Sequence, residues 1–396
     1  MAKYLLCRLL SCLPLLLAST VYAKDDAGVA NTSIAIWGHT RQGDQVGRVS
    51  LRNDLGMAVS YIDYGATLTA TSVPDRHGQF ANVVLSLPSL QAYEASKRKF
   101  AAVIGRYAGR IGNASFPLEG RQVMLPKNAR GIALHGDPDG YDKRVWARRE
   151  FADDDSFGSV YSLFSPDGDQ GFPGAVKLEV RYRLYRKRNE FRIEYSASTT
   201  AATVINLTNH AYFNLAGAGS KGMPQHTFMI NADRYLLTDD KRVPTGVIVS
   251  VEGTPLDFRT AASLAGRLSD ILNVPATPAV PAMPTLTGSP PGIDHSLLFA
   301  TWKKNALAQV ANIMETGSGR CMEIWTTEPS VQFNTGNGFD GSEIGSEGRA
   351  YEAYDGFAFE TQHLPDSPNH PGFPSVVLLP DQDFLSITHF KFSDCK

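Results

Sequence analysis

Cysteine is nearly missing from this sequence. Of four, Cys7 and Cys12 fall within the first 23 residues, and only Cys321 and Cys395 lie beyond them. That excludes a disulfide-dense scaffold and a cysteine-rich zinc module. Other metal-ligand spacings are missing too. The nine histidines are scattered, and there is no H-E-x-x-H, so no metal and no cofactor are expected. Basic runs are absent, with 38 Lys and Arg against 40 Asp and Glu. This balance argues against nucleic acid or a charged membrane surface as a partner. Beyond the N-terminus no apolar run approaches the roughly 20 residues of a membrane span. Long amphipathic helical patterns are nearly lacking. Gly217 to Gly222 happens to fit G-x-G-x-x-G, but no helical pattern follows it and no βαβ unit surrounds it, so no dinucleotide site is expected.

What is present begins with a leader. Lys3 and Arg8 precede the mainly apolar run LLSCLPLLLAST, and Val21-Tyr22-Ala23 gives a small-x-small cleavage pattern. Residues 1–23 therefore read as a secretory signal peptide. A lipid anchor at Cys12 is disfavoured, because the apolar stretch continues past it. The expected product is residues 24–396, one domain, exported to the periplasm or secreted, with no membrane attachment after cleavage. In an oxidising compartment Cys321 and Cys395 either pair or remain separate thiols, and spacing does not choose between these.

The rest of the chain is strand-like: short β-branched and aromatic runs, broken by Gly, Pro and Asn-Asp turns. Val176 to Ala197 alternates apolar and charged residues on both sides of Arg186–Asn189, which predicts an antiparallel hairpin. Ser89–Ala101 and Ala261–Leu272 are the candidates for short helices. Val274–Gly292 is Pro-rich and predicts a surface loop. The fold class is all-β.

The stretch VINLTNHAYFNLAG, Val204 to Gly217, carries the most chemistry. At a period of two, Ile205, Leu207, Ala211 and Phe213 share one face. Asn206, Thr208, His210 and Tyr212 share the other. Amides, a hydroxyl, an imidazole and a phenol are groups that bind a small neutral polyhydroxylated ligand. This predicts a strand beside the hairpin in the same sheet. In GFAFETQHLPDSPNHPGF, Phe357 and Phe359 take one face and Ala358, Glu360 and Gln362 the other. Glu360 is thus a carboxylate backed by aromatics, where burial raises its pKa towards that of a working base. His135 sits in a turn-rich loop, LHGDPDGYDKRVW. Arg106 and Arg110 lie among small residues in GRYAGRIGNASFPLEG, read by themselves as a loop with solvated arginines. Asp294 and His295 open the apolar run LLFA.

In order along the chain, GRYAGRI, LHGDPDGYDKRVW, NLTNHAYFNLAG and FETQHLPDSPNHPGFP resemble the aldose 1-epimerase (galactose mutarotase) family, with weaker support from GIDHSLLF and TEPSVQFNTGN. The resemblance runs from Gly105 to Pro374. It implies a large antiparallel β-sandwich, the mutarotase-like supersandwich, acting on free aldoses such as glucose and galactose by interconverting their α and β anomers. Carried onto this sequence, Glu360 is the base, His210 the acid and His135 a second histidine at the ring. Arg110, Asp294 and Glu328 are the implied sugar contacts, Glu328 at a position often Gln in relatives. The implied partner is a monosaccharide and the implied state a monomer or weak dimer. Three positions depart from the family pattern: Gly109 where Asn is usual, Asp137 in place of the second Gly of LHGG, and Asn334 where an aromatic often follows Val-Gln-Phe. A glycoside hydrolase is the rival enzyme, but it normally needs two carboxylates flanking the bond, roughly 5–10 Å apart. A sugar-binding module without turnover would not need both His210 and Glu360.

Overall fold

The expected hairpin forms: Val176–Tyr185 pairs antiparallel with Glu190–Thr199, Val180 opposite Tyr195 and Tyr182 opposite Ile193. Its apolar residues are buried, and Lys177, Glu179 and Arg181 are partly or fully exposed, as a half-wet antiparallel sheet requires. The computed structural model describes residues 31–223, 225–273 and 289–395. The predicted leader and most of the Pro-rich segment lie outside the described residues.

Around the hairpin runs a sheet of nine strands, in the order Ala147–Ala152, Ser156–Ser165, Val176–Tyr185, Glu190–Thr199, Phe384–Asp394, Arg320–Thr326, Ala308–Glu315, His226–Ile230 and Ala262–Ser263. A six-stranded sheet faces it, in the order Tyr212–Phe213, Phe357–Gln362, Ser330–Asn334, Asp294–Phe299, Ala232–Thr238 and Pro244–Ser250. A third sheet of five strands comes from residues 32–82. The all-β antiparallel expectation is borne out. The two short helices are Leu90–Ala95, capped by the Ser89 hydroxyl, which accepts from the Ala92 N–H, and Leu264–Asn273.

The two large sheets meet through aromatic rings. Phe228 of the nine-stranded sheet packs on Phe357 and Phe333 of the other, with centroids 4.9 and 5.2 Å apart. Thr361 and Thr388 join hydroxyls across the same interface at 2.5 Å. Burying each such ring contributes about 2–3 kcal/mol. Because side chains alternate, Phe357, Phe359 and Thr361 facing inward forces Ala358, Glu360 and Gln362 onto the outer face. The core thereby orients the carboxylate.

The stretch 204–213 departs from the expectation of a strand beside the hairpin. The edge of Glu190–Thr199 is taken by Phe384–Asp394. The stretch breaks into Thr203–Val204, Thr208–Asn209 and Tyr212–Phe213, paired with Val377–Leu378, Val103–Ile104 and Phe357–Gln362. Local hydrogen bonds explain the breaks. The Asn206 side-chain amide donates to the carbonyls of Ala108 and His363, and that of Asn209 to Ala101. Main-chain bonds tie Asn206 to Arg106, and His210 to Ala101 and Ala102. The alternation still sorts the side chains: Ile205, Leu207, Ala211 and Phe213 enter the main core.

Arg106 is not solvated, as expected from its loop, but fully buried. Its guanidinium donates to the Pro173 and Gly174 carbonyls at 2.9 and 2.8 Å and to the Ser165 hydroxyl at 2.6 Å. It ties the two ends of the connection at residues 165–174 to Thr203 around one cation.

Candidate active site

Three elements bring the predicted catalytic groups together on the outer face of the six-stranded sheet. Glu360 projects from its strand, 2 % exposed. His210 comes from the link between Thr208–Asn209 and Tyr212–Phe213, which lies across the end of that strand. Its Nε2 is 3.5 Å from Glu360 Oε1. His135 arrives on its loop, its ring edge against His210 with centroids 5.5 Å apart. The turn places it there because Gly136 follows with φ 78°, and a Cβ at that position would collide with the Gly105 carbonyl oxygen.

Burial dominates the electrostatics. It pushes the Glu360 carboxyl up to about 8, helped by the Asp294 charge and opposed by Arg110. It pushes His210 down to about 4, and it takes His135 well below the usual histidine value, with His210 adding to the effect. At neutral pH in the sugar-free site the proton therefore rests on the carboxyl and both rings are neutral. The sequence-based assignment, with an ionised Glu360 and a protonated His210, describes the same proton moved across 3.5 Å.

Beside this trio lies a charged cluster. Asp294 Oδ2 takes the guanidinium of Arg242 in a close ion pair and that of Arg110 at 3.4 Å, while Gln332 Nε2 donates to Oδ1 at 2.6 Å. Against the desolvation of burial, Arg110, then Arg242, then Gln332 hold this carboxyl well below the ordinary range. The Ser296 hydroxyl completes the row by donating to Gln332 Oε1 at 2.6 Å. Gln332 and Glu360 are directly opposite in the strand register.

Of the six predicted site residues, the structure gathers five: His135, His210, Glu360, Arg110 and Asp294. Glu328 is elsewhere. It lies in the crossover from Arg320–Thr326 of one sheet to Ser330–Asn334 of the other, with its carboxylate on His363 Nδ1 at 2.6 Å. It lines a separate cavity with Trp302 and Ile205. Two groups absent from the expected set belong to the cluster, Gln332 and Arg242. Gln332 was detectable, because its strand alternates in phase with Glu360. Arg242 was not: it sits in the charged turn DDKRVP, and nothing local points it at Asp294. The departure at Asp137 also resolves, since that carboxylate pairs with Lys99 at 2.8 Å rather than joining the trio.

His135, His210 and Glu360 present ligand-type atoms all within 4.8 Å of one another, a grouping no linear spacing displays. The donor chemistry does not suit an ion. His135 Nδ1 accepts the Gly109 N–H at 3.1 Å, so the neutral ring carries its proton on Nε2 and offers a donor there, not a lone pair. What the trio does offer is unsatisfied polarity. His210 Nδ1, Glu360 Oε2 and Arg110 Nε are buried with no hydrogen-bond partner among the described residues. Native interiors rarely leave such groups together unless a ligand or water completes them.

Comparison with known proteins decides the family. The aldose 1-epimerase family model matches residues 47–391. The chain belongs to the aldose 1-epimerase family. It is 37 % identical to human galactose mutarotase over 367 residues, covering 92 % of this chain and 99 % of that one. It is 34 % identical to aldose 1-epimerase of Escherichia coli K12 over 350 residues, 87 % of this chain and 94 % of that one. Among solved structures, galactose 1-epimerase from Lactobacillus acidophilus superposes with TM-score 0.77 at 27 % identity, covering 92 % of this chain and 99 % of that one. An aldose epimerase homologue from C. elegans does so with TM-score 0.77 at 27 % identity, covering 89 % and 100 %. Membership makes the chain an isomerase with the galactose mutarotase-like fold, as the ordered motifs implied.

Proposed function

We propose that this epimerase opens and recloses the hemiacetal of free hexoses, galactose and glucose among them, by passing one proton between Glu360 and His210 through the sugar. The observation that carries the reading is the 3.5 Å approach of His210 Nε2 to a buried Glu360. The two oxygens that exchange protons, O1 and O5, share the carbon C1, so their partners must be close neighbours as well. Sugar entry draws the proton onto His210. The Glu360 carboxylate then takes the O1 proton, the O1 electron pair forms the C1 carbonyl, the C1–O5 bond breaks, and His210 protonates O5. After rotation about C1–C2, O5 returns its proton to His210 and attacks the other face of C1, and Glu360 reprotonates O1. No proton is gained or lost over the cycle. His135, with its donor on Nε2, orients the ring. Asp294 and Arg110 hold hydroxyls.

The rival hydrolytic chemistry would need a second carboxyl free to act. Asp294, the other carboxyl of this cluster, is fixed as an ionised acceptor by two guanidiniums and an amide and has no proton to give. Polarimetry of freshly dissolved α-glucose and α-galactose across pH tests the proposal. The working form carries one proton on the pair. Below about pH 4 the pair holds two, and above about pH 8 it holds none. kcat/KM should therefore be highest between these limits and fall about tenfold per pH unit above 8. A flat profile from pH 6 to 10 would remove the shared-proton mechanism.

We also propose that the enzyme works outside the cytoplasm. The leader pattern at residues 1–23 supports this, and so does the Cys321–Cys395 disulfide, Cα atoms 5.7 Å apart, of a kind that persists in oxidising compartments. Intact-mass analysis of protein recovered from an exporting host should show Lys24 as the first residue. A chain retaining Met1–Ala23 would sink the export reading.

A further inference from the structure

Gln362 stands two residues from Glu360 on the same face of the same strand, and it is only 1 % exposed. Neither Nε2 nor Oε1 of its amide has a hydrogen-bond partner among the described residues. Asn209, beside His210, leaves only its Oδ1 unanswered, and two other amides near the site leave neither end free. Gln332 uses both ends, on Asp294 and Ser296, and Asn206 uses both, on Ala108 and His363. The cause of the difference is at Gly109. Its φ is +89°, and a Cβ there would lie 3.2 Å from Gln362 Nε2 and 3.2 Å from Pro365 Cβ. Glycine thus lets the amide close against the backbone beside Arg110 while offering it no side-chain partner. An orphaned amide, an orphaned Arg110 Nε and an orphaned Glu360 oxygen then lie on one face.

We infer that Gln362 is a substrate-contacting residue that sets sugar preference through one non-anomeric hydroxyl. A sugar hydroxyl is the group that answers both halves of a free amide, since it accepts from Nε2 and donates to Oε1 at once. The ring oxygen and the open-chain aldehyde can only accept. Two residues along a strand span about 7 Å. With Glu360 engaged at O1, Gln362 therefore reaches a different carbon of the same pyranose. The inference rests on the anomerisation reading for the placement of O1.

The test is Gln362→Met, which keeps length and flexibility and removes only the amide. KM and kcat are measured by polarimetry on the parent hexose and its 2-, 3-, 4- and 6-deoxy analogues. Gln362→Met should raise KM about tenfold for the parent and for all analogues but one, with kcat within about twofold. The exception, lacking the contacted hydroxyl, should bind wild type weakly and be indifferent to the substitution. A KM unchanged, or raised equally for every sugar, overturns the inference and leaves Gln362 a packing residue or a water ligand. Ligand-observed NMR of the same sugars gives the selectivity without turnover. A wild type that binds them but does not rotate them would therefore defeat the catalytic reading alone.

Discussion

Glu360→Gln should abolish turnover and yield a more stable protein. The loss follows from the chemistry, because the amide can neither take the O1 proton nor return it. A positioned acid–base group contributes about 10²–10⁴-fold. The gain follows from burial. Between pH 4.5, the ordinary carboxyl value, and about 8, the folded protein keeps a proton on Glu360 that the unfolded chain has released. In that window the native state binds more protons, so stability falls as pH rises. At pH 7 the loss is on the order of 1–3 kcal/mol, and Gln, isosteric and uncharged, removes it. Urea unfolding of both proteins at pH 5 and pH 7.5 checks this. The stability advantage of the variant should appear at the higher pH and shrink at the lower. Undiminished polarimetric rates would take the base role away from Glu360. A variant less stable than wild type at pH 7.5 would mean that the carboxyl is held by contacts other than those described.

His210→Asn should also lose about 10²–10⁴ in kcat, since O5 then leaves as an alkoxide without a donor. Its stability signature has the opposite sign. The folded imidazole, at about 4 against 6.5, stays neutral where the unfolded one takes a proton. Wild-type stability from this group is complete above pH 6.5 and declines as pH falls towards 4. Asn should flatten that acid-side decline while leaving stability at pH 8 nearly unchanged. Near-normal rates in this variant would reassign the acid to His135, whose Nε2 proton faces the same ring.

The two substitutions read one device from both ends. A carboxyl and an imidazole, each displaced by burial in the direction that favours its neutral form, share a single proton. Groups tuned in this way cost stability and supply acid–base function near neutrality.

Much of this site was legible in the linear order of residues, and the reason is the pleat. Side chains alternate strictly along a strand, so Phe357 and Phe359 packing into the core dictates that Glu360 and Gln362 point out of it. The same period sorts Val180 from Arg181, and Ile205 from Asn206. Glu328 shows where the period fails. Four residues before Gln332, it belongs to a turn that leads from one sheet to the other, and no alternation carries through a turn. Arg106 was misread for a related reason. Its loop looks solvated residue by residue, yet the connection at residues 165–174 and the segment at Thr203 close over it and give its guanidinium buried carbonyls and hydroxyls.

By itself, the order of residues determined the class of fold, the hairpin and the face on which Glu360 and Gln362 would stand, because these depend on neighbours within a few positions, and the resemblance of its ordered motifs implied the family of chemistry. Which strand takes the hairpin's edge, that Arg242 clamps Asp294, that Gly109 leaves the Gln362 amide unanswered, and on which of two groups the proton rests were decided only when distant segments met. Pairing partners and desolvation depend on everything packed around a group, and that environment exists nowhere along the unfolded chain.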